Sequence, residues 1–159
     1  MDIEKSKLSE TFFASLNIIF FALFAGQTIY FIVGLFLIQS GDISVMPELN
    51  TVFLFVTPVV ILFAILASKI IYIKLVGNFD KSSSFENKMI SYRKNSIIKL
   101  ALLEGANVFS ISIMIITANY FYASFFVILI TLFFFNRPTK EKFIIDYEVT
   151  ADEALNILL

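Results

Sequence analysis

Four long apolar runs constrain this chain more than any other feature. They cover about residues 12–38, 52–76, 97–117 and 120–135. A helix crosses a bilayer's hydrocarbon core with about 20 mostly apolar residues. The first three runs meet that length. The fourth gives roughly 24 Å of helix and suffices if Asn119 and Asn136 sit at the two interfaces. No water-soluble domain of this size could hide so much apolar side chain, because much of its surface must face water. Apolar residues make up 58% of the 159 positions and charged ones 16%, against about 45–50% and 25% in ordinary soluble domains. The expected fold is all-α: an integral membrane four-helix bundle over residues 12–136, with a short N-terminus (1–11) and a tail (137–159).

The first run has few polar interruptions: Ser15, Asn17, Gln27 and Thr28. It is too long for a signal-peptide core and lacks a small-residue cleavage site after it, so it reads as a retained span. Pro58 is expected to kink the second span near one end. The last two spans are joined by almost nothing (Thr117–Tyr120) and must form a tight antiparallel hairpin.

Basic residues set the orientation. All 12 Lys and Arg residues fall in three places. Lys5 and Lys7 precede the first span. Lys69, Lys74, Lys81, Lys88, Arg93, Lys94 and Lys99 lie at or between the second and third. Arg137, Lys140 and Lys142 follow the fourth. The two remaining connections carry none. The positive-inside rule then places both termini and the loop 77–95 in the cytoplasm. On the opposite side Tyr30, Phe31, Tyr120, Phe121 and Tyr122 read as interfacial anchors. Within the basic loop, Lys81, Lys88, Arg93 and Lys94 are candidates for anionic lipid headgroups. Lys99 is close enough to the interface to snorkel out.

Two capping-box patterns start helices outside the runs. Ser83 with Glu86 predicts a helix that continues into the third span and exceeds thirty residues. Thr150 with Glu153 predicts a short amphipathic tail helix whose apolar face carries Ala154, Leu155 and Leu158. So short a helix is marginal alone, so that face is expected to dock on the bundle, the membrane or a partner. Arg137-Pro138 should stop the fourth span.

Chemistry is constrained by absence. The chain has no Cys and no His. Disulfides, thiolate or imidazole metal sites and His-dependent nucleophilic catalysis are excluded. The five glycines are isolated, so no phosphate loop forms. A net charge of -1 offers no field for nucleic acid. No soluble segment is large enough for a catalytic domain, and no inverted repeat of the transporter kind is visible. The expectation is a non-enzymatic protein with no cofactor and no metal.

One acidic residue lies well inside a span. Glu104 is about 10 Å beyond Ile97 by helix rise, where a charge is costly and faces protein or water. Asn107 shares its face at i+3, and Asn17 and Ser68 lie at similar depth on the first and second spans. This set reads as an ion-binding or packing candidate. Gly105 would let another helix approach, and Ala22 with Gly26 offers a small-xxx-small contact, as does Ala64 with Ser68.

The segments Tyr92-Arg-Lys, Ile97-Ile98-Lys99-Leu-Ala-Leu-Leu-Glu104-Gly105 and Arg137-Pro-Thr-Lys-Glu-Lys142 resemble a set of small, uncharacterised four-span inner-membrane proteins of Bacteroidota-type bacteria. The resemblance covers about the last 75 residues. It implies a multi-pass bacterial inner (plasma) membrane protein and brings no activity. Ala101-Leu-Leu-Glu104 looks faintly like the carboxylate segment of rotary ATP synthase ring subunits, but those are rich in Gly and Ala. Small multidrug transporters also combine four helices with one membrane Glu, but theirs lies in the first helix. The expected function is an accessory or packing subunit of a larger inner-membrane assembly, partnered by lipid and by other subunits or copies of itself. The alternative is a small oligomeric transporter or ion- or proton-conducting protein using Glu104.

Overall fold

The computed structural model describes residues 2–41 and 43–158, and all regular structure among them is helical. The helices are α1 (Asp2–Ser40), α2 (Asn50–Gly77), α3 (Phe85–Thr117), α4 (Ala123–Phe135), α5 (Lys140–Asp146) and α6 (Ala151–Leu158). Single 3-10 turns at Pro47–Leu49 and Tyr120–Tyr122 lead into α2 and α4. Helices α1, α2 and α3 are each long and apolar enough to cross a membrane. The Tyr120–Phe135 segment is a fourth when taken with α5, from which a 71° bend separates it.

Helix α3 is the central element and packs on α1, α2 and α4. Half of its most apolar stretch is buried, against 17% for those of α1 and α2. The outer faces of α1 and α2 expose Ile18, Phe36, Phe55, Phe63 and Ile73. Such a surface suits hydrocarbon, not water. Along the bundle the core divides into layers. One holds Phe20, Leu100, Leu103 and Phe133, the next Ile61, Ala106 and Leu129, and the last Ile111, Met114, Tyr122 and Phe126.

Helix length explains a second core. With 39 and 33 residues, α1 and α3 run about 58 and 50 Å, well beyond a hydrocarbon core of about 30 Å. Their overhanging ends bury Phe13 and Leu16 of α1 and Phe85, Met89 and Tyr92 of α3 against Phe143, Tyr147 and Ile157 of the tail. These residues form a cap at the end of the bundle that carries the α2–α3 connection.

The structure corrects several expectations. Helix α1 begins at Asp2, so the N-terminal segment is helical and continuous with the first apolar run. Helix α3 is indeed longer than thirty residues, but its N-cap is Ser84, whose side chain accepts from the Asn87 N–H; Ser83 is one residue early. Helix α2 continues through Pro58. The hairpin turn places Ala118 in the left-handed region (φ 50°), and the Asn119 side chain caps the next turn by accepting from the Phe121 N–H at 2.9 Å. Phe31 and Tyr122, two of the five residues expected as anchors, pack into the bundle. Phe31 stacks on Phe126 at 4.0 Å, and Tyr122 is buried, donating to the Asn50 side-chain oxygen at 3.0 Å. Tyr120 and Phe121 stay exposed.

In the tail, Thr150 and Glu153 form the reciprocal capping box. The docked residue of α6 is Ile157, while Leu155 is exposed; the side chain of Leu158 lies outside the described residues. Ile157, three positions past Ala154, clusters with Phe13 and Leu16 of α1. Helix α5 has no counterpart among the expected elements. Thr139 caps it by accepting from the Lys142 N–H, and Phe143 and Tyr147 bury its inner face.

Candidate functional site

The central polar feature within the apolar length joins α1 to α3. Asn107 donates from Nδ2 to Gln27 Oε1 at 2.5 Å, and both side chains are at most 1% exposed. The two helices run parallel there, and Tyr30–Ser112 (3.0 Å) repeats the pairing one turn further on. Near that end Gly34 lets the helices close: a Cβ at this position would lie 2.9 Å from Ile115 Cγ1 and Cδ1.

The amide pair is under-bonded. Among the described residues, Gln27 Nε2 and Asn107 Oδ1 have no hydrogen-bond partner, nor does Oγ1 of buried Thr57. Thr57 lies at the same level. On its own helix it sits between Phe53, whose ring meets Phe109, and Ile61, which clusters with Ala106. Three helices thus contribute buried polar atoms to one layer of an otherwise apolar bundle, where unmade hydrogen bonds are costly.

Glu104 stands apart from these groups. It lies one turn from Asn107, is half-buried, and makes no hydrogen bond or ion pair among the described residues. Asn17 does not join it; its side-chain oxygen accepts from Arg137 Nε at 3.1 Å. Ser68 is buried but donates to the Ile65 carbonyl of its own helix at 2.8 Å. The set of Glu104, Asn107, Asn17 and Ser68 is therefore not one cluster. Of the small-residue contacts, Ala64 packs against the Ile61–Ala106–Leu129 layer. Ala22, Gly26 and Gly105 are exposed, and no atom comes within 4 Å of a Cβ placed on either glycine. Gly34, not singled out in the sequence, is the glycine in close contact.

At the cap end, basic side chains serve the fold. Lys88 is buried and pairs with Glu153 of α6 at 3.7 Å. Lys81 donates to the Asp146 carbonyl and faces the Tyr147 ring at 5.3 Å. Both are tied to the docked tail: Lys88 is buried, and Lys81 commits one N–H to it. Arg93 and Lys94 are exposed. Lys99 sits over the Tyr72 ring at 4.4 Å. Tyr72 in turn donates to Asp146 Oδ2 at 2.6 Å. The Tyr147 hydroxyl accepts from Asn95 Nδ2 at 2.8 Å and meets Ser91 at 3.2 Å. Burial pushes the Tyr147 phenol above its ordinary range, partly offset by those two hydrogen bonds. Tyr92 closes the start of α5: its hydroxyl accepts from the Thr139 N–H and donates to the Thr139 carbonyl, both at 3.0 Å.

Sequence reasoning passed over Gln27, Thr57 and Arg137 as site residues. Gln27 carried a signal, as a full-length amide inside an apolar run. Its pairing with Asn107, 80 positions away, did not. Comparison with protein-family models, with curated proteins and with solved structures returned no match.

Proposed function

We propose that this chain is a non-enzymatic multi-pass protein of a bacterial inner membrane, with both termini cytoplasmic, acting as an accessory or packing subunit of a larger assembly. The carrying observation is Glu104. A carboxyl group half-exposed on the flank of an apolar helix is costly against lipid, by about 2.5–3.5 kcal/mol near the centre when charged. Ala101 and Gly105 beside it are exposed, and the space over Gly105 is open. A neighbouring helix carrying a hydrogen-bond donor would fill that space and satisfy the carboxyl. The absence of His and Cys supports a role without catalysis. The distribution of basic residues supports the orientation, and the resemblance of the C-terminal half supports the compartment.

The test is gentle extraction, native sizing and identification of co-purifying chains. Gly105→Leu should release the partner while the chain stays folded, and Glu104→Gln, which keeps hydrogen-bonding capacity, should retain it. A wild-type chain that runs as a lone monomer in several mild detergents sinks the proposal. The second reading, an oligomeric transporter or ion- or proton-conducting protein using Glu104, draws on the unbonded polar layer one turn away. It requires pH-dependent flux into liposomes that Glu104→Gln abolishes.

A further inference from the structure

The seam between α1 and α4 carries two features that the proposed function does not use. At its cap end lies a cavity of about 210 Å³, lined by Phe13 and Asn17 of α1 and by the segment Arg137–Glu141. Deeper along the same seam lies a groove of about 230 Å³, lined by Phe24, Ile130, Thr131, Phe134 and Phe135. The rings of Phe24 and Phe134 meet at 6.3 Å, and the exposed Phe135 lies two residues before Arg137.

Arg137 is held in place before any ligand arrives. Its Nε donates to Asn17 Oδ1 at 3.1 Å, and its guanidinium carbon lies 5.0 Å from the centre of the Phe21 ring. Among the described residues nothing else bonds the guanidinium, so both Nη groups are unspent. A guanidinium fixed in plane with its fork free is suited to a phosphate. The charges around the cavity favour an anion. Lys140 adds a second cation, although its Nζ donates to the Ile157 carbonyl at 2.5 Å. The one carboxylate in the lining, exposed Glu141, is held in its charged form beside its own backbone N–H, Thr139 and Lys140, which leaves the lining one net positive charge from Arg137 and Lys140. Lys142 is turned away and donates to the Phe135 and Arg137 carbonyls, both at 2.9 Å.

We propose that the α1–α4 seam is a binding site for an anionic phospholipid, with the phosphate on Arg137 and an acyl chain in the apolar groove beneath it. Arg137 stands just past the apolar end of α4, at headgroup depth. The groove is what a free phosphate ion would not need. This assignment differs from the loop residues that composition alone points to, because the tail takes up Lys81 and Lys88.

The test uses the full chain in mild detergent. Dioleoyl phosphatidylglycerol is titrated against dioleoyl phosphatidylcholine, with bound lipid read by native mass spectrometry. Wild type should bind the anionic lipid preferentially. Arg137→Gln should lose about tenfold or more in affinity, the scale of a charged hydrogen-bonded contact. Lys74→Gln, at an exposed position on α2 outside the seam, should bind as wild type does. Asn17→Ala keeps the charge but frees the guanidinium, and should weaken binding by a smaller factor; it serves if Arg137→Gln fails to fold. Thr131→Phe, which fills the groove, should also weaken it. Equal binding of the two lipids by wild type, or equal loss in Lys74→Gln and Arg137→Gln, overturns the proposal. So does full displacement of the lipid by millimolar inorganic phosphate, which would assign the site to the free ion.

Discussion

Replacing Asn107 by Leu and Gln27 by Met, singly and together, tests how the polar layer holds α1 on α3. In the native chain the pair makes one hydrogen bond of 2.5 Å and leaves Gln27 Nε2 and Asn107 Oδ1 unbonded. Asn107→Leu removes the bond and strands the whole Gln27 amide at 1% exposure. A net hydrogen bond is worth about 1 kcal/mol and a stranded buried amide costs about 1–3 kcal/mol. Interhelical bonds in membranes average nearer 0.6 kcal/mol, so the single variant should lose about 1–3 kcal/mol. Gln27→Met strands Asn107 in the same way and should lose a similar amount. The double variant removes both amides at nearly constant volume. It also removes the two native unbonded atoms, so it should return to within about 1 kcal/mol of wild type or exceed it. The assay is reversible unfolding in bicelles or mixed micelles, read as a double-mutant cycle. Additive losses in the double variant would show that the two amides act independently and would refute the reasoning. Neutral single variants would do the same.

Three further outcomes follow from the contacts. Glu153→Ala removes the partner of buried Lys88 and should undock α6, seen as faster proteolysis of the tail, whereas Lys88→Met should leave it docked, because the Glu153 carboxylate left behind is part-exposed and still accepts from the Thr150 N–H. The Tyr147 phenol is raised by burial, so its neutral form stabilises the cap. That contribution is complete below the ordinary phenol value near 10 and is lost as pH rises through the higher folded value; amide exchange in α5 and α6 should accelerate above about pH 10, and an equal step in Tyr147→Phe would remove Tyr147 as its source. Gly34→Leu overpacks against Ile115 and should cost about 1–3 kcal/mol, while Gly26→Leu, which meets open space, should leave the stability of the single chain unchanged.

Glycine and small-residue spacing shows how far a pattern reaches. Ala22 with Gly26 satisfies the membrane-packing pattern, yet it faces outward; Gly34, in no such pattern, is the glycine that meets α3, at Ile115. Spacing along one helix defines a face but not which neighbour meets it. The same limit applies to Asn17. Its depth matched that of Glu104, but depth does not fix rotation about the helix axis, and Arg137 claimed it. Lys81 and Lys88 read as loop charges because nothing local revealed that the tail folds back over them.

Local and compositional information determined the helices of this protein other than α5. Apolar run length marked out the apolar stretches that could cross a membrane. The Thr150–Glu153 box started α6, and a loop serine started α3, because caps and hydrophobic runs act over a few residues. Tertiary structure alone decided which polar groups meet. The Gln27–Asn107 bond, the cap around Tyr147 and the guanidinium held between Asn17 and Phe21 join segments 52 to 120 positions apart. Their geometry depends on how each helix is rotated and offset against its neighbours. That is set by side-chain packing across the whole bundle and by the overhang of α1 and α3, which gives the tail a surface to dock on.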